Sequence, residues 1–594
     1  MIRRLFAVHD SLLPGRGRAW LILAVIGSFL LGLLDMAGIA AMVPLMLVAT
    51  NAPGATRVLD ILAGFGVQGP TASIVTLAAL VGGAFLVKTV FALVFRWWLL
   101  GRTTALEAEA SANLIDLFAR SPYSVHRERS VADVHRQIDA SVPSTFSGLL
   151  NGLLMILVDA LTLLLAAVML VIVSPVGAFA AVVCLGGTVL LSQALLRPHQ
   201  QRLGHRQSEL AMGQWSSRGP ISEGFRDVRL TDSSDVFVER YRRNRRHAAR
   251  VRRLLSLMSE APRYVLEVAM VVSIGVIAGA IALLGDPAET ITVLGVFVAA
   301  AGRMLPTLNR LGANLGIVRS SLAGLEELER TLETIPEEGR MPRRRSADEY
   351  AGDIVFSEVS YRFPGTEEWA LQDLSFTVPH GSSIALVGPS GAGKSTALDL
   401  MLGLIEPTSG TISCGGREIA ADPAAWVDVL GVVSQEVYII NATLRENVAF
   451  GVPPEEIDDA QVERALASAQ LTAVVAALPE GLDTEMGERG VRLSGGQRQR
   501  IGIARALYRQ PKILVLDEAT SALDNVTERD FMETVDALAG RLTIVMVAHR
   551  LSTVRNADHL MFLQDGRSVA EGTFEEVTAA NRDFARLVEL GRLQ

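Results

Sequence analysis

A chain of 594 residues is too long for one ordinary domain, on a prior of about one domain per 150 residues, and its net charge of −8 argues against a nucleic-acid partner. Half of the residues are hydrophobic and the mean hydropathy is +0.34, which suits an apolar region joined to a soluble one better than a wholly soluble enzyme. Two cysteines, Cys184 and Cys414, are too few and too far apart for a disulfide framework, so a reducing interior is the simpler expectation.

Residues 1–18 place Ile2, Leu5, Phe6, His9, Leu12 and Leu13 on a rough helical face beside Arg3 and Arg4, and end near Pro14. This predicts an interfacial elbow helix, with a disordered leader as the alternative. From Ala19 an apolar run continues past Asp35 to Leu47, too long for a cleaved signal core and long enough to span a bilayer. Five further apolar segments follow, at about 73–100, 146–174, 175–197, 262–285 and 290–312, making six predicted crossings within 19–330. Ser174-Pro175 predicts a tight hairpin between the third and fourth, and the acidic stretch GDPAET predicts a short loop between the fifth and sixth.

Arginine sets the orientation. Residues 197–260 hold fourteen and residues 101–145 hold five, whereas the first short loop on the opposite side, about 50–72, holds only Arg57. Positive charge concentrates in cytoplasmic loops, so both termini are expected to face the cytoplasm. The two basic loops are long, and the second to fifth crossings are predicted to continue as helices beyond the membrane.

A helical pattern, SSLAGLEELERTLE, precedes a polar linker at 331–351. From 352 to 594 short β-rich runs at 354–359, 383–387, 513–516 and 543–547 alternate with helical stretches, which predicts an α/β domain with a largely parallel sheet.

The run SSIALVG leads into GPSGAGKST, where Gly388, Gly393, Lys394 and Ser395 match the phosphate-loop pattern, with Ser390, Gly391 and Thr396 alongside. Glycines let backbone N–H groups wrap phosphates, the following helix aims its N-terminus at them, and Ser395 can reach magnesium. Only three lysines occur in this chain, and one of them stands at the position where a compact ammonium is needed. The strand KILVLDEAT ends in Asp517, a magnesium ligand, and Glu518, a general base for the attacking water. Between them Ser494, Gly495, Gly496 and Gln497 open a helix whose N-terminus offers donors to an anion, which makes physical sense if it closes on the nucleotide of another subunit.

These motifs, with Tyr361 in YRFPG, Gln435 in VVSQE, GERG at 487–490, Asp524 in SALD and His549 in VAHRLST, resemble the ATP-binding cassette family over residues 352–575. The resemblance implies ATP and Mg2+ held between two head-to-tail cassettes, hence a second copy of the chain. It further implies Tyr361 stacked on adenine, Gln435 linking magnesium and water to the membrane helices, and His549 at the γ-phosphate. Asp524 joins the ATP-binding set, and Ser395, Gln435 and Asp517 form the metal set. Six crossings followed by one cassette resemble an exporter half-transporter in a bacterial-type inner membrane: an all-α transmembrane domain joined to an α/β P-loop nucleotide-binding domain.

Within the sixth crossing Arg303, Thr307, Arg310 and Asn314 fall at i, i+4, i+7 and i+11, one polar stripe beside Pro306, whose ring predicts a kink. At about 1.5 Å per residue Arg303 lies roughly 20 Å into the span. A stripe of that depth should face a watery cavity or an anionic ligand. Asp35, Lys88, Asp159, Arg263 and Glu267 are the other intramembrane ionisable residues, and pairing among them is the competing reading. APRYVLEV, RMLPTLNR and DMAGIAAMVPLM resemble flippases of lipid-linked oligosaccharides. That resemblance implies a lipid pyrophosphate as the stripe's ligand. Export of drugs, other lipids or peptides is the alternative, and a cassette protein that gates without pumping is a further one.

Overall fold

The computed structural model describes residues 1–589, apart from 16–18, 50–53, 68, 129–130, 174–178, 180–182, 184–185, 217–218, 223, 285–286, 336–349, 488–492, 521–524, 549 and 551–553. The chain divides into two compact units, Met1–Ala119 with Glu128–Pro336, and Arg120–Arg127 with Glu337–Gln594.

The first unit is helical throughout its described length. The N-terminal helix Ile2–Leu12 buries Leu5, Val8, His9 and Leu12 and carries its basic residues on the other side. Arg4 Nε donates to Glu329 Oε2 at 2.8 Å, and Asn113 donates to the carbonyl of Leu12 at 2.7 Å, so the helix is tied at both ends. A helix therefore occupies this segment and ends at Leu12, within the 1–18 expected.

The apolar segments lie in long helices: Ala19–Ala49, Pro70–Ala119, Asn151–Val173, Gly187–Ser216, Ser234–Leu284 and Pro287–Thr334. Pro70–Ala119 and Ser234–Leu284 have 50 and 51 residues, roughly 75 Å each, more than twice the thickness of a hydrocarbon slab. Each of these two helices is thus continuous over its whole length. Pro70–Ala119 and Asp133–Val168 are, among the described residues, long and apolar enough to cross a membrane by themselves. Large apolar side chains such as Leu86, Val90 and Leu93 point outward, the inverse of a soluble helix.

Two features differ from the sequence reading. The third segment is entered through two π-helical stretches, Gln137–Ser141 and Ser144–Leu150, around Pro143, which has no N–H for a regular ladder. There the helix approaches Pro287–Thr334 closely, since a Cβ on Gly324 would stand 2.8 Å from Ser144 Cβ. The last helix also runs through Pro306 to Thr334, four residues beyond the predicted end of the helical domain. The Ser174-Pro175 hairpin and the start of GDPAET lie outside the described residues, and the helix resumes at Pro287.

The second unit holds two sheets. β1 (Ile354–Arg362), β2 (Trp369–Val378), β4 (Ser409–Cys414) and β5 (Arg417–Glu418) form an antiparallel sheet ordered β2-β1-β4-β5. β3 (Ser383–Val387), β6 (Leu430–Val433), β7 (Ile513–Asp517), β8 (Thr543–Val547), β9 (His559–Gln564) and β10 (Arg567–Gly572) form the order β10-β9-β3-β8-β7-β6. Every pairing from β9 to β6 is parallel, as expected; the antiparallel sheet was not anticipated.

β3, β7 and β8 are apolar at nearly every position because both faces are covered. Ala385, Val387, Leu514 and Leu516 enter one core, while Ile384, Leu386, Ile513 and Val515 enter the other. Tyr350, placed in the linker by sequence, belongs to the second core: its ring meets Trp426 edge-on at 5.3 Å, and its hydroxyl donates to the Glu418 carbonyl at 2.8 Å. The remainder of the linker at 336–349 lies outside the described residues.

Candidate functional site

β3 stops at Val387, and the chain turns through Gly388, Gly391 and Gly393 before the helix Lys394–Met401. Gly393 has φ of +99°, and a Cβ there would meet the Ala370 carbonyl at 2.8 Å, so the loop requires glycine on both counts. Lys394 is buried, and its Nζ donates to the carbonyls of Gly388 and Pro389 at 2.8 and 3.0 Å. Burial lowers its pKa below the usual lysine value, and the nearby carboxylate of Glu518 opposes that shift.

The loop lines a cavity of about 970 Å3 together with Ser395, Thr396, Glu518, Phe363, Trp369 and Gly566. β7 delivers Asp517 at its last position and Glu518 one residue later. Glu518 is left-handed, with φ of +47°, and its N–H donates to the Val547 carbonyl at 3.0 Å. Gln435 Nε2 donates to Glu518 Oε2 at 2.8 Å, and the Gln435 carbonyl accepts from Gln499 Nε2 at 2.6 Å. The general-base candidate is thereby tied, through one glutamine, to the helix Gly495–Tyr508.

Ser494 caps that helix: its Oγ accepts from the Gln497 N–H at 3.2 Å, and its own N–H donates to Gln497 Oε1 at 2.9 Å. The side chain of Gln497 is committed to this capping box. Ser494, Gly495, Gly496 and Gln497 are not among the residues lining the phosphate-loop cavity. Asp524, His549 and most of GERG lie outside the described residues.

The aromatic assignment needs correction. Tyr361 lies within β1, is 9% exposed and packs in the core rather than on the cavity wall. Phe363, two residues on and just beyond the strand, meets Tyr361 edge-on at 5.1 Å and lines the cavity. The Pro-Gly after Phe363 was the available signal, because it ends the strand and frees the aromatic before it. Sequence reasoning also missed Arg127 of the short helix Tyr123–Glu128, which clusters with the cassette unit and sets its guanidinium 4.9 Å from the Phe363 ring centroid. Arg127 also draws down the Asp399 carboxyl, although burial keeps it above the usual carboxylate range.

In the helical unit the stripe is partly assembled. Arg310 Nε donates to Asp159 Oδ1 at 3.1 Å, its Nη2 donates to Thr307 Oγ1 at 3.1 Å, and Asn314 Nδ2 donates to Asp159 Oδ2 at 3.2 Å. The side chains of Arg303 and Asp35 lie outside the described residues. Glu267 accepts from Arg263 Nε at 3.1 Å, the pairing weighed from sequence. Farther along, Arg319 donates to Gln193 Oε1 at 2.7 Å, a contact not anticipated.

Residues 371–521 match the ABC transporter family and are an ABC transporter domain that binds ATP. Likeness to membrane-embedded exporters makes this a membrane protein. The chain as a whole has the fold of an ABC exporter: it superposes on a bacterial Atm1-family ABC exporter solved with ATP bound, with a TM-score of 0.81 at 25% identity, over 97% of this chain and 99% of that one. Among curated relatives, the ATP-dependent lipid A-core flippase of Cupriavidus metallidurans is 44% identical over 256 residues, 42% of each chain. That of Alkalilimnicola ehrlichii is 36% identical over 371 residues, 61% of this chain and 62% of the other, and mouse mitochondrial ATP-binding cassette sub-family B member 10 is 43% identical over 231 residues, 38% and 32%. The chain thus spans between about a third and three fifths of the length of these curated relatives.

Proposed function

We propose that this protein is an ATP-driven lipid exporter that moves an anionic lipid outward across a bacterial inner membrane by alternating access, working as a homodimer with six crossings per chain and its cassette and both termini in the cytoplasm. The observation that carries the ATPase half is the convergence of Lys394, Ser395, Gln435 and Glu518 on one site, with Glu518 hydrogen-bonded to Gln435. A phosphate chain would lie against the glycine loop and the positive end of Lys394–Met401. Ser395 hydroxyl, Gln435 Oε1 and Asp517 are hard oxygen donors that suit Mg2+, and a magnesium site needs only one or two protein carboxylates because phosphates and water complete it. Glu518 accepts the proton of the attacking water. The signature end, Ser494 to Gln497, belongs to the partner's nucleotide in this reading. In this reading His549 contacts the γ-phosphate, Asp524 belongs to the ATP-binding set, and the adenine platform passes from Tyr361 to Phe363.

The lipid half rests on the relatives' names and on the stripe of Arg303, Thr307, Arg310 and Asn314. Planar guanidinium forks match phosphate oxygens, which lipid A-core and a lipid-linked oligosaccharide both carry. Export of drugs or peptides is the reading to displace. Reconstitution in liposomes decides: phosphorylated glycolipids should stimulate hydrolysis and change leaflet. Stimulation by neutral drugs or peptides alone would remove the lipid assignment.

A further inference from the structure

Arg310 is bound on one edge and open on the other. Nε and Nη2 face Asp159 and Thr307, Nη1 has no hydrogen-bond partner among the described residues, and the side chain is 53% exposed while that of Asp159 is 4% exposed. Asp159 lies in Asn151–Val173, which packs against Pro287–Thr334, and its second oxygen is taken by Asn314, one turn beyond Arg310. Leu308 and Leu305 of Pro287–Thr334 and Leu163 of Asn151–Val173 form an apolar cluster with Leu266 of the helix Ser234–Leu284. A carboxylate buried in such surroundings stays ionised only while its partners hold it, so Asp159 and Arg310 fix one another.

Depth gives the exposed edge its meaning. Arg310 is 20 residues beyond Thr290, where the last span begins, hence about 30 Å along the helix and level with the inner headgroups. At that level a half-exposed guanidinium with two free N–H donors matches the phosphate of a lipid in the inner leaflet.

We propose that Asp159 is a positioning residue that holds Arg310 with its Nη1 edge open, and that this edge is where the phosphate of a lipid is first taken from the inner leaflet. The proposal deepens the reading of the stripe as a phosphate-binding face and rests on it. Asp159 does not touch the lipid. It takes up Nε and one side of Nη2, so the guanidinium presents a single orientation and an arriving phosphate need not order it.

The test is ATPase activity in vesicles of phosphatidylethanolamine and phosphatidylglycerol, titrated with undecaprenyl pyrophosphate, with lipid A, or with inorganic pyrophosphate. Arg310→Ala and Asp159→Asn should each raise the half-stimulating concentration of a lipid phosphate about tenfold or more. Maximal stimulated rate should change less than about twofold, the double variant should be no worse than either single one, and inorganic pyrophosphate should not stimulate. Replacing the pair by apolar residues, Asp159→Leu with Arg310→Met, guards against misfolding, since buried ion pairs tolerate such exchange; it should show the same rise as Arg310→Ala.

An unchanged half-stimulating concentration in Asp159→Asn, beside a raised one in Arg310→Ala, overturns the positioning role and leaves the phosphate reading standing. Additive losses in the double variant overturn it as well. No change in either single variant removes the phosphate reading itself. Loss of maximal rate alone makes the pair purely structural, and stimulation by free pyrophosphate makes the ligand a soluble phosphate.

Discussion

The side-chain amide of Gln435 donates a 2.8 Å hydrogen bond to the carboxylate of Glu518, while the backbone carbonyl of the same glutamine accepts from Gln499 at 2.6 Å. One residue therefore touches the general-base candidate and the helix that carries the signature. A change in where Glu518 points is felt at that helix without a long chain of intermediates.

Glu518→Gln keeps the side-chain volume and a hydrogen-bonding partner for Gln435 but removes the base. ATP binding should persist and turnover should fall by about 100-fold or more, within the usual range for a lost general base. Equilibrium ATP binding alongside phosphate release checks this, and undiminished release would overturn the assignment.

Phe363 and Tyr361 should separate function from stability. Phe363→Ala should raise KM for ATP about five- to tenfold, the scale of one lost aromatic stacking contact, with little loss of folded cassette. Tyr361→Ala, at a site 9% exposed, should cost about 3 kcal/mol or more of stability. ATP titrations with thermal melts measure both, and the opposite pattern would return the adenine to Tyr361.

Ser494 to Gln497 stand apart from the phosphate-loop cavity, so two-chain complementation is expected. Mixing Lys394→Ala subunits with Ser494→Arg subunits should restore at most one working site per dimer, because both defects can fall in the same site. Full activity of an isolated monomer would exclude the shared site.

Asp558 should mark the acid limit of the cassette. Its Oδ2 accepts from the Ser383 N–H at 2.9 Å and the Ser383 hydroxyl at 2.8 Å, and those bonds, the backbone one foremost, hold its pKa below the usual carboxylate value. A depressed pKa contributes stability above the unfolded value, about 4, and that contribution is lost as pH falls through the folded value. Between pH 5 and pH 2 the melting temperature of the wild type should fall more steeply than that of Asp558→Asn; parallel curves would refute this.

Much of the cassette was legible because its chemistry is local. A loop that wraps phosphate needs Gly388, Gly393 and Lys394 at fixed separations, and a strand that ends in Asp517 and Glu518 writes both carboxylates side by side. The long helices were legible because apolar length is itself the signal. Tyr361 was named because family spacing does not say which of two aromatics at one strand end is buried; burial of Tyr361 along β1 leaves Phe363 at the cavity.

By itself, then, the sequence determined the two kinds of domain, the phosphate loop, the strand ending in Asp517 and Glu518, the helix start at Ser494 to Gln497 and the presence of a charged stripe. Each follows from residue type at short, regular spacing. Tertiary structure decided what those groups touch: Asp159 and Arg310 are 151 residues apart, Gln435 and Gln499 are 64 apart, and Arg127 reaches Phe363 from outside the cassette's own segment. Such contacts depend on how helices and strands are registered against one another. Packing fixes that register over the whole chain, and no local pattern carries it.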